Sequence, residues 1–174
     1  MTIRSTGLTV AVLISLISVA VLASDSGAPL DPLLNYELLT RVTPIGTSAT
    51  ELRPAEDEML LLQFWASWCR SCGSLMFDMD KLVSQNPDMK YVAVSLDDEF
   101  AAAENYIRKH KLYAKYADRY FVDTDKQFSL SLGVESVPSI LLVDPSGTVL
   151  VKKFGHLNSA DLHEFVTAVR AVPQ

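Results

Sequence analysis

A short apolar run that leads directly into two closely spaced cysteines is the feature that most constrains how this chain folds. The run Met59–Trp65 has the length and composition of a buried strand, and Cys69 and Cys72 follow it in the stretch FWASWCRSC. Apolar residues then recur at helical spacing as far as Ser84. We therefore predict a strand, then a helix over Cys69–Ser84, with both cysteines at their junction.

Strands and helices alternate along the rest of the chain. The patterns predict strands over 91–96, 120–122, 139–144 and 148–154, and helices over 99–111, 125–132 and 159–172. Asp144-Pro145-Ser146-Gly147 has proline second and glycine fourth, as a type I turn prefers, so the last two strands are expected to form a hairpin. The predicted fold class is α/β, with a central mixed β-sheet and helices on both faces.

The start of the chain has the features of an export signal. Arg4 is the only charged residue among the first 24, an apolar run follows it, and Val21-Leu22-Ala23 offers small residues where a signal peptidase cleaves. We predict a signal peptide over 1–23, a linker over 24–35 and one domain over 36–174. The uncharged run is also nearly long enough to span a membrane, so an uncleaved N-terminal anchor is the alternative.

Both alternatives place the domain outside the cytoplasm, in a periplasmic or other extracytoplasmic location. Two thiols form a disulfide readily in such an oxidising environment, and a reductant supplied from elsewhere is needed to reopen it. The formal net charge is −6, and the basic residues are scattered along the sequence. This distribution argues against binding to nucleic acid and favours proteins as partners.

The position of the cysteines at a predicted helix start suggests different roles for them. Unpaired backbone N–H groups and the helix dipole stabilise a thiolate there, which makes Cys69 the predicted nucleophile. Cys72 lies one turn further along, within reach of a disulfide and turned inward, and is the predicted resolving thiol. Arg70 adds a positive charge that is expected to lower the pKa of Cys69, unless water screens it.

Three other uses of the cysteine pair stay open on the residues alone. A static disulfide closing so small a ring would constrain the unfolded chain little. A zinc site would need two more ligands, and the three histidines lack the paired spacing of zinc motifs, so no metal site is predicted. Copper could find four soft ligands on the predicted helix, although methionines at such spacing more often fill a core: Cys69, Cys72, Met76, Met79.

The stretch FWASWCRSC, followed by VAVSLDDE and by YFVDTDKQFSLSLGVESVPSILLVDPSGTVLVKKFG, resembles the thioredoxin superfamily. The resemblance runs from about residue 59 to 172 and is greatest to the exported TlpA-like branch, which includes the cytochrome c maturation thioredoxins. It implies a thioredoxin fold in which Cys69 is the nucleophile, Cys72 the resolving thiol, and Pro138 a cis-proline beside them. Trp65 and Trp68 match the aromatic positions that flank the active site.

The resemblance implies an exported thiol-disulfide oxidoreductase, most simply a protein-disulfide reductase. Its only redox group would be the Cys69–Cys72 disulfide, without a bound cofactor. We expect Trp68, Val137 and Pro138 to contact the substrate and Trp65 to lie in the core. The expected partners are protein thiols and disulfides, apocytochrome c among them, and an upstream membrane thiol reductant. A disulfide-donating oxidase and a non-enzymatic copper chaperone are the alternatives.

Four positions depart from the family pattern. Ser71 and Phe77 stand where proline is common, inside the Cys-x-x-Cys motif and on the helix that follows. Gln63 and Leu75 stand where thioredoxins and many TlpA-like proteins place acids near the second cysteine. The sequence leaves open which base, if any, serves Cys72, and in which direction electrons flow.

Overall fold

The computed structural model describes residues 34, 36–46, 52–112 and 118–171. The predicted signal peptide or anchor over 1–23, and all of the predicted linker except Leu34, lie outside the described residues. Among the described residues no helix is both long and apolar enough to cross a membrane.

One six-stranded sheet organises the described chain. Its strands are β1 (Thr43–Pro44), β2 (Met59–Trp65), β3 (Met89–Ser95), β4 (Tyr120–Val122), β5 (Ser139–Val143) and β6 (Val149–Phe154). The helices are α1 (Cys72–Ser84), α2 (Phe100–Lys109), α3 (Gln127–Ser131) and α4 (Ser159–Ala171), and a 3₁₀ helix (Tyr36–Arg41) precedes β1. The predicted α/β class with a mixed sheet is thereby confirmed.

The strand order is β1-β4-β3-β2-β5-β6, which places β2 in the middle of the sheet. β2, β3 and β4 run parallel, whereas β1, β5 and β6 are each antiparallel to a neighbour. The turn Asp144–Gly147 joins β5 to β6, and the N–H of Gly147 donates to the carbonyl of Asp144 at 2.9 Å, a hydrogen bond common in β-turns. The predicted hairpin is therefore present.

Apolar side chains cover both faces of the sheet, because successive residues of a strand point to opposite faces. In β2 the odd-numbered residues from Met59 to Trp65 face the core under α1, α2 and α4, and the even-numbered residues face the core under α3 and the 3₁₀ helix. All seven residues of β2 are buried. This two-sided burial explains why the strand reads as a continuous apolar run.

The residues from Leu34 to Val42 that the structure describes pack on the α3 side of the sheet, and the sequence patterns did not predict their structure. Leu34 is buried and its N–H donates to the carbonyl of Gly147 at 2.7 Å. Leu39 of the 3₁₀ helix and Val42 are buried in the same core. Arg41 pairs with Asp125 ahead of α3, both of them largely exposed. Contacts distant in sequence therefore hold this segment in place.

The first helix begins later than the sequence predicted. The prediction started it at Cys69, whereas α1 starts at Cys72, after Ser71 as its N-cap. The residues between β2 and α1 form turns instead: the N–H of Cys69 donates to the carbonyl of Ala66 at 3.1 Å, and the N–H of Cys72 to that of Cys69 at 3.3 Å. Apolar spacing could not locate this boundary, because turns and a first helical turn have similar periodicity.

Candidate active site

The cysteines lie where the central strand ends and α1 begins. A disulfide joins Cys69 to Cys72, with an S–S distance of 2.01 Å and a Cα–Cα distance of 5.4 Å. Cys72 is the first residue of α1, whereas Cys69 lies one turn ahead of it. The pair therefore closes a small ring at the N-terminal end of a helix, where a reduced thiol would face unpaired N–H groups.

The two cysteines differ in their access to solvent. Cys72 is fully buried, and Cys69 retains 7% of its surface. Ser71 Oγ lies 3.9 Å from the sulfur of Cys69. Arg70, which the sequence suggested as a residue that tunes the pKa of Cys69, is exposed between the two cysteines. Its tuning role stays a prediction, and its exposure means that water weakens its field.

Gln63 contacts the backbone of Cys72, at the position where the family pattern has an acid. It is fully buried in β2, and its Nε2 donates to the carbonyl oxygen of Cys72 at 3.3 Å. Its Oε1 accepts a hydrogen bond from the hydroxyl of Tyr91 at 2.6 Å. Leu75, the second position without an acid, is buried on α1. Sequence reasoning singled out Gln63 and missed Tyr91, whose strand position alone carried no sign of this contact.

A buried carboxylate that the sequence analysis also missed holds the loop between β2 and α1. Asp97 is 3% exposed and accepts three short hydrogen bonds. Its Oδ2 accepts the N–H of Ser67 at 2.9 Å and the hydroxyl of Ser95 at 2.7 Å, and its Oδ1 accepts the Ser67 hydroxyl at 2.7 Å. Because Ser67 immediately precedes Trp68 and Cys69, Asp97 fixes the loop that carries the first cysteine.

We expect Asp97→Ala to lower the free energy of unfolding of the oxidised protein by about 2 kcal/mol, because it leaves a backbone N–H and two hydroxyls without their acceptor. Denaturant unfolding measures this change. Asp98→Ala is the matched control, since its side chain is 95% exposed and pairs with Lys126 at 3.2 Å, and we expect it to have no measurable effect. Equal destabilisation by both variants would contradict the role assigned to Asp97.

The lining of a groove of about 260 Å³ includes Trp68 and Val137, the residues that precede Cys69 and Pro138 in the chain. Both are residues that the sequence predicted to contact substrate. Leu96 and α3 supply much of the remaining wall, so the groove is mainly apolar, and its lining is completed by Lys126, Ser129, Leu130, Val134, Glu135 and Ser136. Trp68 is 68% exposed, which leaves its ring available to a partner.

Pro138 lies at the same end of the sheet as the cysteines. The peptide bond between Val137 and Pro138 is cis, as the resemblance implied. The next residue, Ser139, pairs with Phe64 of β2, which places the proline beside the end of the strand that leads to Cys69. The structure thus brings Val137, Pro138 and the cysteine loop together, while their contacts with a substrate stay predictions.

Three further residues that the sequence singled out lie in the core, whereas Phe77 on α1 is exposed. Trp65 is fully buried and packs against Tyr106, with ring centroids 5.2 Å apart. Met76 and Met79 are buried on the inner side of α1. In the part of the chain that the structure describes, no group of three or more His, Cys, Asp or Glu residues could hold a metal ion.

The fold and the site define a class of protein. A central parallel strand that ends in a Cys-x-x-Cys turn, with a cis-proline at the start of the adjacent antiparallel strand, is the arrangement of a thioredoxin-fold thiol-disulfide oxidoreductase. The family model described as "Thioredoxin-like" matches residues 57–149, more than half of the chain. The chain belongs to this family.

Relatives of known sequence support the same class. The chain is 23% identical over 130 residues to the thiol-disulfide oxidoreductase ResA of Bacillus thuringiensis subsp. konkukian (strain 97-27), covering 74% of this chain and 73% of the relative. It is 28% identical over 109 residues to the thiol:disulfide interchange protein DsbE of Vibrio cholerae serotype O1 (strain ATCC 39315 / El Tor Inaba N16961), covering 63% of this chain and 56% of that protein.

Among solved structures, a putative thiol:disulfide interchange protein DsbE from Chlorobium tepidum superposes with a TM-score of 0.63 at 25% identity. The alignment covers 75% of this chain and 90% of that one. The predicted membership of the thioredoxin superfamily is confirmed, and the protein is a thiol-disulfide oxidoreductase of the ResA and DsbE type.

Proposed function

We propose that this protein is an exported reductase or exchange catalyst that acts on disulfides of other exported proteins. The observation that carries the proposal is the Cys69–Cys72 disulfide, directly preceded in the chain by Trp68, which lines an apolar groove together with Val137. Export is proposed from the apolar N-terminal segment over 1–23. Because the sequence resembles the cytochrome c maturation thioredoxins, apocytochrome c is one candidate substrate.

The proposed reaction starts from the reduced pair. The Cys69 thiolate attacks one sulfur of the substrate disulfide, whose other sulfur leaves and takes up a proton. Cys72 then loses its proton and attacks the Cys69 sulfur, so that the mixed disulfide breaks and the second substrate cysteine leaves as a thiol. The substrate gains two electrons and two protons, and the Cys69–Cys72 disulfide forms. An upstream membrane thiol reductant restores the dithiol.

The groove provides the proposed contacts with the substrate polypeptide. An extended segment beside Val137 and Pro138 would place its cysteine near Cys69, while the exposed ring of Trp68 covers apolar side chains of that segment. The apolar wall of the groove favours unfolded or loosely folded substrates, because these expose apolar side chains next to their cysteines.

Turnover assays test this proposal. The protein with a dithiol reductant is expected to reduce the disulfides of insulin catalytically, while a parallel titration shows no tight Cu(I) binding. A reduction potential near about −270 mV would agree with a reductase, whereas one near about −120 mV would assign the protein to disulfide donation instead. Tight Cu(I) binding without turnover would contradict the proposal.

A charged side chain in the groove is expected to weaken the binding of protein substrates without changing the reaction with a small disulfide. Leu130 is 54% exposed on α3, so Leu130→Glu should alter the groove without disturbing the core. We expect it to raise KM for a protein disulfide about tenfold, the effect of removing roughly 1.4 kcal/mol of apolar contact. Steady-state kinetics with insulin and with a small disulfide measure this difference.

Leu130→Met is the matched control, because it keeps the groove apolar. It should leave KM for both substrates unchanged. Leu130→Glu should leave KM for the small disulfide unchanged, since that substrate does not fill the groove. If Leu130→Glu left KM for insulin unchanged, or slowed both substrates equally, the groove would not be the docking site for protein substrates.

A further inference from the structure

The side chain of Gln63 is held in one orientation by its two hydrogen-bond partners. The carbonyl oxygen of Cys72 can only accept a hydrogen bond, so the Gln63 atom 3.3 Å from it is the amide nitrogen. The amide oxygen therefore faces Tyr91, whose hydroxyl must donate across the 2.6 Å contact. The three residues form a directed chain from the Tyr91 hydroxyl through the Gln63 amide to the backbone of Cys72.

The sheet register brings this chain together. Gln63 lies two residues from Leu61 along β2, and Leu61 pairs directly with Tyr91 of β3. Alternation places all three side chains on the face covered by α1, where Tyr91 is buried. Burial, and secondly the neighbouring Tyr120, raise the pKa of Tyr91 well above its ordinary value. The Tyr91 hydroxyl therefore keeps its proton at neutral pH and stays a donor.

We propose that Tyr91 and Gln63 are positioning residues for the resolving step of the reaction: Tyr91 fixes the Gln63 amide, and Gln63 holds the carbonyl of Cys72 in the first turn of α1. This inference rests on the proposed function, in which Cys72 resolves the mixed disulfide on Cys69. Cys72 begins the helix, so its backbone sets the direction from which its sulfur approaches Cys69. Neither residue touches the reacting sulfurs in this proposal.

Gln63 does not act as the base in this step. An amide takes up no proton near neutral pH, and the Gln63 oxygen is already occupied by Tyr91. The other ionisable groups next to Tyr91 are Tyr120 and the ion pair of Asp80 with Arg119, whose atoms lie 2.8 Å apart. Because neither Gln63 nor Leu75 can take a proton, we expect the proton of Cys72 to pass to solvent and the rate of the resolving step to rise with pH until Cys72 itself is deprotonated.

The test measures the resolving step without a protein substrate. The reduced protein is mixed with an aryl disulfide, and the release of coloured aryl thiolate is followed by stopped flow. Attack by Cys69 releases one equivalent in a phase that depends on reagent concentration, and attack by Cys72 on the Cys69 adduct releases the second in a concentration-independent phase. Mass spectrometry of the early product identifies the cysteine that carries the adduct.

Tyr91→Phe should slow the second phase about fivefold, as the loss of one hydrogen bond of roughly 1 kcal/mol predicts, and leave the first phase unchanged. In a Gln63→Leu background the same substitution should have no further effect, because the hydroxyl then has no amide to hold. Tyr120→Phe is the matched control: it removes another buried tyrosine hydroxyl, from β4, and should leave both phases unchanged.

Gln63→Glu tests the origin of the pH dependence. Glutamate has the same length and can keep the contact with Tyr91, but its carboxylate cannot donate to the carbonyl of Cys72, so the variant exchanges that contact for a carboxyl group that can take the proton of Cys72. It should accelerate the second phase about tenfold near neutral pH and flatten its profile between about pH 6 and pH 9. If the second phase of this variant kept the steep pH profile of the parent, a base at position 63 would not take the proton of Cys72. That result would overturn the account of the pH dependence.

The positioning role is overturned if Tyr91→Phe leaves the second phase unchanged, if Tyr120→Phe slows it equally, or if Tyr91→Phe and Gln63→Leu act independently. These outcomes differ from a failure of the proposed function. That failure would appear in the first phase of the parent protein, as an early adduct on Cys72 instead of Cys69, or in the absence of insulin reduction.

Discussion

Cys72→Ala is expected to abolish turnover with protein disulfides and to leave the substrate attached to Cys69. The nucleophile can still open the substrate disulfide, but the mixed disulfide that forms has no second thiol to resolve it. Cys69 retains some exposed surface while Cys72 is fully buried, so a folded protein offers only the first sulfur to a bulky substrate. Non-reducing electrophoresis and mass spectrometry of the reaction with insulin measure the trapped adduct.

Cys69→Ala provides the complementary measurement. It is expected to lose turnover equally and to accumulate no adduct, because the buried sulfur of Cys72 cannot reach a polypeptide substrate. Both variants lack the disulfide, so any difference between them reflects the order of attack and not the loss of the cross-link. An adduct on Cys72 in Cys69→Ala would reverse the assigned roles of the two cysteines.

Asp123→Ala is expected to lower the free energy of unfolding by about 3 kcal/mol, which changes the ratio of folded to unfolded protein by more than about a hundredfold. Asp123 is fully buried between β4 and α3. Its carboxylate accepts the backbone N–H of Ser129 at 2.8 Å and that of Phe128 at 3.4 Å, and alanine would leave both without this acceptor. Denaturant unfolding of the oxidised protein measures the change.

Asp123→Asn is the control variant, because its amide oxygen can still accept one of these hydrogen bonds. It should be destabilised by about 1 kcal/mol, well short of the alanine variant. Since α3 supplies Ser129 and Leu130 to the groove, Asp123→Ala should also weaken reduction of protein substrates. If alanine and asparagine destabilised the protein equally, or neither did, the carboxylate would not be what holds α3 in place.

The regular elements of the fold could largely be predicted from local patterns. β2 and β4 have the predicted bounds, and the other strands and helices that the patterns indicated are present with small shifts at their ends. A buried central strand is necessarily apolar on both faces, and a helix that covers a sheet is apolar on one, so composition and spacing report both. The segment from Leu34 to β1 was not predicted, because contacts distant in sequence hold it in place.

The candidate site divides in the same way. Spacing and resemblance together singled out the cysteines, Pro138 and the two tryptophans, and the structure separates a buried Trp65 from an exposed Trp68 as expected. The start of α1 was predicted one turn too early, because the apolar spacing in the turns around Cys69 is similar to that of a first helical turn. Asp97 and Tyr91 were missed, since a single polar residue near a strand end does not reveal which side chain it will bond.

The sequence by itself indicated the class of the protein, because the Cys-x-x-Cys pair after a buried strand and the Val-Pro before a later strand are local patterns, and together they carry the resemblance to the thioredoxin superfamily. Only the tertiary structure decided how that pair is supported. Strand register brings Tyr91 to Gln63, and the loop after β3 brings Asp97 to Ser67, across separations of 28 and 30 residues. Such contacts form only when the whole sheet is assembled, because hydrogen-bond partners are set by position in space and not by distance along the chain.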